Sequence, residues 1–287
     1  MHLRVRSRSS SPAVGRRGGG DIRRRVGAAA GSMSGMAERR LDGGFDGGAS
    51  LVDGVVRRTA GPWTSSVQAL LAHLEAAGFE GAPRALGLDA DGREMVSFLP
   101  GETVGNTRPW PAWTHSGGAL VDVAHWLRRY HAAVADFVPP ASSYWREGVV
   151  WRPGMIVAHN DAAPYNAVWN REGLVGFVDW DMAGPITPEL DVAWVAFSWT
   201  PLHAPRVVAA EGFTDLPSRP RRLSHFLREY DWQGSTTDIL DLIAERLTLQ
   251  LEVMTRAATD DPTYQRMLDL GRHEDLQVAL DQLDTLR

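Results

Sequence analysis

The segment VAHNDAAPYNAVW, residues 157–169, places three strongly hydrogen-bonding side chains in one turn between two apolar runs. They are His159, Asp161 and Asn166. Asp and Asn are common in turns because their side chains bond to the local backbone, so each of them alone has an ordinary structural explanation. An Asp that is followed five residues later by an Asn can, however, aim both side chains into one cleft. The segment therefore either holds a loop in shape or holds a ligand.

A further carboxylate follows this segment at the end of a predicted hairpin. The turn at Asn170 to Gly173 leads into an apolar strand, Leu174 to Val178, which runs directly into Asp179. Phosphoryl transfer needs a carboxylate that orients or deprotonates the acceptor, and it needs oxygen ligands that hold magnesium against the nucleotide phosphates. Asp161, Asn166 and Asp179 supply these groups, so the pattern favours a phosphoryl-transfer site.

The composition is that of a globular protein without thiol chemistry. The chain has 287 residues, of which 44% are hydrophobic, and its net charge of -5 provides no basic field that would attract nucleic acid. Cysteine is absent, which excludes disulfides, thiolate metal sites and cysteine nucleophiles. No apolar run is long enough to span a bilayer and no secretory signal is visible. We therefore expect a cytoplasmic protein that contacts neither nucleic acid nor membrane; its oligomeric state stays open.

Hydrophobic periodicity divides the chain into a tail and two lobes. Residues 1–40 are rich in Arg, Ser and Gly and are predicted to be disordered, with a basic arm or an upstream misassigned start codon as the open interpretations. Residues 41–101 combine short strands with one amphipathic helix, and residues 102–287 combine a hairpin with several helical segments. The prediction is an α+β, bilobal fold with a small β-rich N-terminal lobe and a mostly helical C-terminal lobe.

These motifs resemble those of the protein-kinase-like superfamily. The segment that begins with His159-Asn160-Asp161 and reaches Asn166 after four further residues is similar to the H-x-D-x-x-x-x-N catalytic loop of that superfamily. The DWD segment at 179–181 resembles that of the aminoglycoside phosphotransferase and choline kinase-like branch, and PELDVA at 188–193 is similar to the P-x-x-D-L-A segment that follows there. The resemblance covers roughly residues 41–199 and implies a bilobal kinase-like fold.

The resemblance also implies roles for the matched residues. Asp161 would be the catalytic base, and His159 would brace the loop by hydrogen bonding. Asn166 and Asp179 would be ligands of Mg²⁺. The nucleotide would be ATP or GTP, as a co-substrate.

Other positions would support the site or bind the nucleotide. Asp181 and Asp191 would support the site from a second layer. In the FLPG stretch, Phe98, Leu99 and Gly101 would form the hinge, whose backbone groups read adenine.

This chain matches the family's phosphate-binding elements less closely than it matches the catalytic loop. The glycine-rich stretch from Gly43 to Ser50 would cover the phosphates. The family usually has a strand Lys that grips the phosphates and pairs with a helix Glu. Here the strand offers Arg57 and Arg58, of which Arg57 is the better match, and the expected position of the helix Glu falls near Val67, which is apolar. Glu75 would serve only if the helix had a different register.

The predicted function is a small-molecule kinase that transfers the γ-phosphoryl group of ATP or GTP to a hydroxyl of an aminoglycoside-like or amino-alcohol acceptor. The missing helix Glu and the absent Lys motivate an alternative, a nucleotide-binding pseudokinase or regulatory protein without phosphotransfer. A purely structural domain is a third interpretation. The acidic residues of the C-terminal helices, Glu211 among them, could bind a polycationic aminoglycoside or could form solvated helix faces.

Overall fold

The computed structural model describes residues 38–41, 48–105 and 107–286. These residues lie within one compact unit, Met36–Arg287. Most of the tail that is predicted to be disordered, residues 1–37, lies outside the described residues, and so does most of the predicted glycine-rich cover, residues 43–47. The predicted boundary between the lobes near residue 101 stays a prediction.

A five-stranded antiparallel sheet forms the N-terminal part of the described chain. Its strands are β1 (Arg39–Leu41), β2 (Ala49–Val52), β3 (Val55–Arg58), β4 (Ala85–Leu88) and β5 (Glu94–Ser97), in the spatial order β1-β2-β3-β5-β4. Asp53 and Gly54, which join β2 to β3, both have positive φ, as expected of an Asp-Gly hairpin turn. Between β3 and β4 the chain forms helix α1 (Thr64–Ala76), whose buried leucines pack into the core. The predicted β-rich lobe is confirmed.

The pairing of β3 with β5 decides which side chains of β3 face the interior. Val56 lies opposite Val96, and Arg58 lies opposite Glu94. Successive residues of a strand point to opposite faces of the sheet, so Val56 and Arg58 share one face and Arg57 lies on the other. Because Val96 belongs to the hydrophobic core, the shared face carries Arg58 inward.

Helices dominate the rest of the described chain. They are α2 (Gly117–Val134), α3 (Pro188–Trp199), α4 (Pro205–Ala210), α5 (Arg219–Tyr230), α6 (Thr236–Ala257), α7 (Pro262–Asp269) and α8 (Arg272–Gln282). The hydrophobic pattern predicts a long helix within residues 117–137 and helical segments at about 189–199, 221–230, 238–258 and 270–286. It does not predict α4 and α7, two short helices that begin with Pro. Every residue from Leu190 to Trp199 of α3 is buried, so α3 lies in the centre of the helical part. Within the described ranges, no helix combines the length and the apolar character needed to cross a membrane.

Two small antiparallel pairs hold the motif segments. The predicted hairpin consists of β7 (Ala167–Asn170) and β8 (Gly173–Phe177). A second pair, β6 (Ile156–Ala158) with β9 (Gly184–Ile186), is not predicted by the sequence. It joins the two ends of the 159–183 segment, so both motifs lie in one closed loop of chain.

Buried aromatic residues fix this loop to the helices. The Tyr130 hydroxyl of α2 donates a hydrogen bond to the Val157 carbonyl (2.6 Å), and the Trp199 indole N–H of α3 donates to the Ala162 carbonyl (2.8 Å). Trp126 stacks on Tyr130 with ring centroids 5.1 Å apart. Tyr and Trp are favoured in cores where their polar atom finds a partner, and here the partners are carbonyls on both sides of the motif.

The segment that follows β5 is tied to the β7–β8 hairpin by a close backbone approach. The Glu102 N–H donates to the Trp169 carbonyl and the Trp169 N–H donates to the Glu102 carbonyl, each at 2.9 Å. A Cβ atom on Gly101 would lie 2.6 Å from the Trp169 carbonyl oxygen. Glycine is therefore the residue that permits this contact.

We expect Gly101→Ala to lower the free energy of unfolding by about 1–3 kcal/mol, because the added methyl group must push the two backbones apart. Urea denaturation measures this change. The matched control is Gly118→Ala in α2, where the nearest atom to an added Cβ is 3.8 Å away and the stability should be unchanged or slightly higher. Equal stabilities of the two variants would contradict the account.

Candidate active site

His159 is buried and joins the two motif segments through both of its ring nitrogens. The Asp161 N–H donates to His159 Nδ1 (3.2 Å), so Nε2 carries the proton and donates to the Val178 carbonyl (3.1 Å). Burial lowers the pKa of His159 to about 4, so the ring is neutral at physiological pH. The ring also lies 4.4 Å from that of Trp180. This arrangement suits the bracing position that the sequence predicts for His159.

Asp161 has a hydrogen-bond donor on each of its carboxylate oxygens. The Asn166 Nδ2 donates to Oδ2 (2.8 Å) and to the Asp161 main-chain carbonyl (3.0 Å), and the Tyr165 hydroxyl donates to Oδ1 (2.6 Å). Burial raises the pKa of Asp161 to about 7, while the bonds from Tyr165 and Asn166 oppose that rise. The donors fix the orientation of the carboxylate.

Asp179 is placed beside the catalytic-loop segment by the residue before it. The Val178 N–H donates to the Asn166 carbonyl (3.0 Å), and the Val178 carbonyl accepts from His159. Asp179 itself has φ +64°, an uncommon conformation for a residue other than glycine, and its side chain is 44% exposed. Backbone strain of this kind is concentrated at functional sites. The structure therefore brings Asp161, Asn166 and Asp179 together.

A single guanidinium group links the N-terminal sheet to the DWD segment. Arg58 Nε contacts Glu94 Oε2 (2.6 Å), Nη1 contacts Asp179 Oδ1 (3.2 Å) and Nη2 contacts Asp181 Oδ1 (2.7 Å). Burial alone would lower the pKa of Arg58, but the three carboxylates outweigh it and raise the pKa. Arg58 is therefore charged at every relevant pH.

Glu94 of β5 is an acidic partner of Arg58, whereas the helix position at which the resemblance implies a Glu is the apolar Val67. The Glu94 side chain is 1% exposed, and besides Arg58 it accepts a hydrogen bond from Gln68 Nε2 of α1 at Oε1 (2.8 Å). Gln68 follows Val67, the position at which the resemblance implies a helix Glu. The helix thus supplies an amide that steadies a strand carboxylate.

The choice of Arg57 as the strand cation is not supported by its placement. Arg57 lies opposite Met95 and points to the face of the sheet away from Asp179, whereas Arg58 reaches Asp179. The physical reason is strand alternation, since only one of two successive residues faces the site. Val67 is fully buried in the core and contributes no charge.

The predicted hinge residues differ in what their backbone groups do. The Phe98 N–H donates to the Gly54 carbonyl (2.9 Å) and is not free for a ligand. Among the described residues, the Leu99 N–H has no hydrogen-bond acceptor. Gly101 permits the contact with Trp169. The Gly101 N–H likewise has no acceptor among the described residues, so Leu99 and Gly101, but not Phe98, have a backbone N–H available to a ligand.

The two predicted supporting carboxylates lie in different surroundings. Asp181 bonds to Arg58 and lies 3.9 Å from Arg146, which is itself bonded to Asp261. Asp191 is buried behind the loop, and its Oδ2 accepts from His131 Nε2 (2.8 Å). Both carboxylates contact cationic or donor groups behind the site rather than Asp161.

The side chains around Asn166 and Asp179 fit a magnesium ion that is shared with nucleotide phosphates. Asn166 uses Nδ2 for its bonds to Asp161, which leaves its amide oxygen for a metal. Asp179 offers a partly exposed carboxylate. Magnesium prefers oxygen ligands and in such sites takes one or two side chains together with phosphate oxygens.

Comparisons with known proteins agree with this fold. The phosphotransferase enzyme family (APH) matches residues 151–226. The trifolitoxin immunity protein of Rhizobium leguminosarum bv. trifolii is 37% identical over 183 residues, which are 62% of this chain and 67% of that protein.

Two solved structures share the fold at low sequence identity. Amicoumacin kinase in complex with AMP-PNP, Ca²⁺ and Ami has a TM-score of 0.56 and 12% identity, over 85% of this chain and 88% of that one. A choline/ethanolamine kinase family protein from Mesorhizobium loti has a TM-score of 0.54 and 14% identity, over 88% and 94% of the two chains.

The fold is thus that of protein-kinase-like proteins, with a β-rich N-terminal part and a helical C-terminal part. The chain belongs to the phosphotransferase enzyme family, as the resemblance of its motifs implies.

We expect Glu94→Gln to lower the free energy of unfolding by about 1–3 kcal/mol, because a buried, charge-assisted bond to Arg58 is weakened. Urea denaturation measures the loss. Glu75→Gln is the control, since Glu75 forms an exposed pair with Arg84 (3.4 Å) and should change stability by less than about 0.5 kcal/mol. Similar small effects of both substitutions would show that the Arg58 contacts do not hold the sheet in place.

We expect Tyr165→Phe to raise the pKa of Asp161 above its value of about 7, since the lost hydrogen bond favours the ionised carboxylate. Carbon-13 NMR of the Asp carboxyl carbons across pH follows this titration, and Asp161→Asn assigns the signal. Tyr144→Phe, at an exposed tyrosine, should leave it unchanged. A pKa of Asp161 that stays the same in Tyr165→Phe would contradict the bond.

Proposed function

We propose that the protein is a small-molecule kinase that transfers the γ-phosphoryl group of ATP or GTP, with Mg²⁺, to a hydroxyl group. The observation that carries this proposal is the continuous set of hydrogen bonds that joins Asp161, Asn166 and Asp179 through His159 and Val178. Membership of a phosphotransferase family supports it. Because phosphoryl transfer depends mainly on positioning and electrostatics, a rigid set of this kind is what the reaction requires.

Asp161 is the proposed base. Its two oxygens are held by Tyr165 and Asn166, and each oxygen retains a lone pair for the acceptor hydroxyl. A general base is most effective when its pKa lies near the working pH, and burial brings that of Asp161 to about 7. Asp161 would orient the hydroxyl toward the phosphorus atom and take its proton as the new bond forms.

Asn166 and Asp179 are the proposed metal ligands. The amide oxygen of Asn166 and the carboxylate of Asp179 are carried by adjacent backbone segments that Val178 joins. When bound, magnesium would supply positive charge against the phosphate oxygens. The left-handed backbone at Asp179 turns its side chain out of the strand that precedes it.

Arg58 is the proposed phosphate-binding cation in place of the usual Lys. A guanidinium group can bind two phosphate oxygens in a fork. Its ion pair with Glu94 supports an active kinase over the pseudokinase alternative, because that alternative was motivated by the missing helix Glu. We propose that Leu99 offers its backbone N–H to the nucleotide base.

Family membership does not define the acceptor, so the acceptor class is a separate proposal. We propose an aminoglycoside-like or amino-alcohol hydroxyl compound, which the fold of amicoumacin kinase and the name of the trifolitoxin immunity protein support. Phosphorylation of a toxic compound would be one way to confer immunity. Because ATP or GTP would be the phosphate source, we propose that the protein works in the cytoplasm.

Asp161→Asn should lower kcat for phosphoryl transfer by about 10²- to 10⁴-fold while nucleotide binding is kept, because only the base is lost. Asp179→Asn should abolish stabilisation of the protein by Mg-ATP or Mg-GTP. Thermal denaturation with and without nucleotide measures binding, and phosphate transfer to a panel of aminoglycosides and amino alcohols measures turnover.

The control is Asp136→Asn, at an exposed carboxylate that follows α2, which should change neither property. Full transfer activity in Asp161→Asn or in Asp179→Asn would refute the assigned roles. Nucleotide binding without transfer in the unaltered protein would favour the pseudokinase.

A further inference from the structure

Glu211, which follows α4, is a buried carboxylate with an unsatisfied oxygen. Its side chain is 4% exposed, and Oε2 has no hydrogen-bond partner among the described residues. The backbone around it is fixed, since its carbonyl accepts from the Trp110 N–H (3.0 Å) and from His115 Nε2 (3.1 Å). Buried carboxylates are normally paired, because an unpaired one loses its hydration without compensation. An unpaired one on a rigid backbone indicates a position that a ligand completes.

Arg108 is a cation that lies over the Trp110 ring. Its guanidinium carbon lies 4.4 Å from the Trp110 ring centroid, and Nη1 donates to the carbonyls of Gly105 and Thr107 (3.1 Å each). Within the described ranges it has no carboxylate at ion-pair distance. The other N–H groups of the Arg108 guanidinium are therefore available to bind an anion.

These two opposite charges influence each other without being in contact. Burial raises the pKa of Glu211 to about 7, and the nearby guanidinium groups of Arg108 and Arg272 oppose that rise. Arg272 is brought there by the packing of α8 on α4, in which Arg206 bonds to the Gly271 carbonyl (3.1 Å). Glu211 and Arg108 form no ion pair with each other, so each can pair with a charged group of a ligand.

The pair acts electrostatically on Tyr165, the residue that bonds to the proposed base. The charges of Asp161, Arg272 and Glu211 all act on the Tyr165 hydroxyl, and that hydroxyl donates to Asp161 Oδ1. A compound that contacts Glu211 and Arg108 can therefore present a hydroxyl to Asp161. Two other acidic residues of the C-terminal helices are already engaged: Glu229 with Arg228 (3.0 Å), and Asp238 with the Ser235 N–H (2.7 Å) at the start of α6.

The possible acceptors differ in how well their charges complement those of Glu211 and Arg108. A polycationic aminoglycoside would satisfy Glu211 but would meet Arg108 and Arg272. A neutral alcohol would leave both kinds of charge unpaired. An acceptor with one cationic and one anionic group satisfies both sides at once.

We propose that Glu211 and Arg108 bind the acceptor, and that the acceptor is a hydroxyl compound with both an ammonium group and a carboxylate, such as a hydroxylated amino acid or a short peptide. This inference rests on the proposed function and narrows its acceptor class. The ammonium group contacts Glu211, and the carboxylate contacts Arg108. The hydroxyl contacts a remaining lone pair of the Asp161 carboxylate, beside the bond from Tyr165.

The test combines changes in the ligand with changes in the protein. The probes are seryl and threonyl dipeptides with free termini, their N-acetyl and C-amide derivatives, and a polycationic aminoglycoside. Calorimetry measures their binding to the full chain with magnesium and a non-hydrolysable ATP analogue. We expect each derivative to bind at least about tenfold more weakly than the parent dipeptide.

Matched variants assign each terminus to its residue. In Glu211→Gln the free and N-acetylated dipeptides should bind equally weakly, while sensitivity to C-amidation is kept. In Arg108→Gln the sensitivity to C-amidation should vanish and that to N-acetylation should remain. Glu245→Gln, at an exposed position of α6, should behave as the unaltered protein.

The proposal is overturned if the N-acetyl and C-amide derivatives bind as tightly as the parent dipeptide. It is also overturned if no dipeptide binds to a protein that does bind the nucleotide. A third contradicting result is that the aminoglycoside binds most tightly and its binding depends on Glu211 but not on Arg108. The ligand derivatives decide this in the unaltered protein even if a variant fails to fold. Absence of nucleotide binding is a separate result, which would contradict the proposed function instead.

Discussion

The contact of Arg58 with three carboxylates is the interaction on which the rest of the site depends. Glu94 belongs to the N-terminal sheet, whereas Asp179 and Asp181 belong to the segment after β8, so one guanidinium joins two parts of the fold. Two carboxylates that lie two residues apart would repel each other without a shared cation. Desolvation of the ions is costly, and good geometry with several hydrogen bonds compensates for it. Arg58 thereby fixes Asp179 relative to the sheet that would cover the nucleotide.

Hydrogen bonds to the backbone also fix the position of Asp179, from within the segment that carries both motifs. His159 donates a hydrogen bond to the Val178 carbonyl, and the Val178 N–H donates one to the Asn166 carbonyl. Aromatic residues of α2 and α3 donate hydrogen bonds to carbonyls of the same loop. Asn160 and Asp179 both adopt positive φ, which such a set of contacts can maintain against local strain. The side chains that we propose as base and metal ligands are therefore held in place before a ligand binds, which is the condition for catalysis by positioning.

Local patterns made the catalytic loop and the hairpin predictable, because spacing within a few residues specifies them. Arg58 was missed in favour of Arg57, since the face of β3 that reaches the site is decided by pairing with β5, 36 residues further along. The local pattern does not decide between them, because Val55 precedes Arg57 by two positions just as Val56 precedes Arg58, and only their partners on β5, Ser97 and Val96, distinguish the two faces. Glu94 and Tyr165 belong to no motif, and their partners are visible only when the chain is folded. Glu211 was one acidic residue among many until its burial set it apart.

One measurement tests the central claim directly. The protein is incubated with magnesium and ATP whose γ-phosphate carries oxygen-18, together with the hydroxyl compounds named above, and mass spectrometry locates the label. The account predicts a small molecule that gains one labelled phosphoryl group with the unaltered protein and not with Asp161→Asn. Label that appears only in free phosphate, or that reaches the same product at the same rate in the variant, would contradict it.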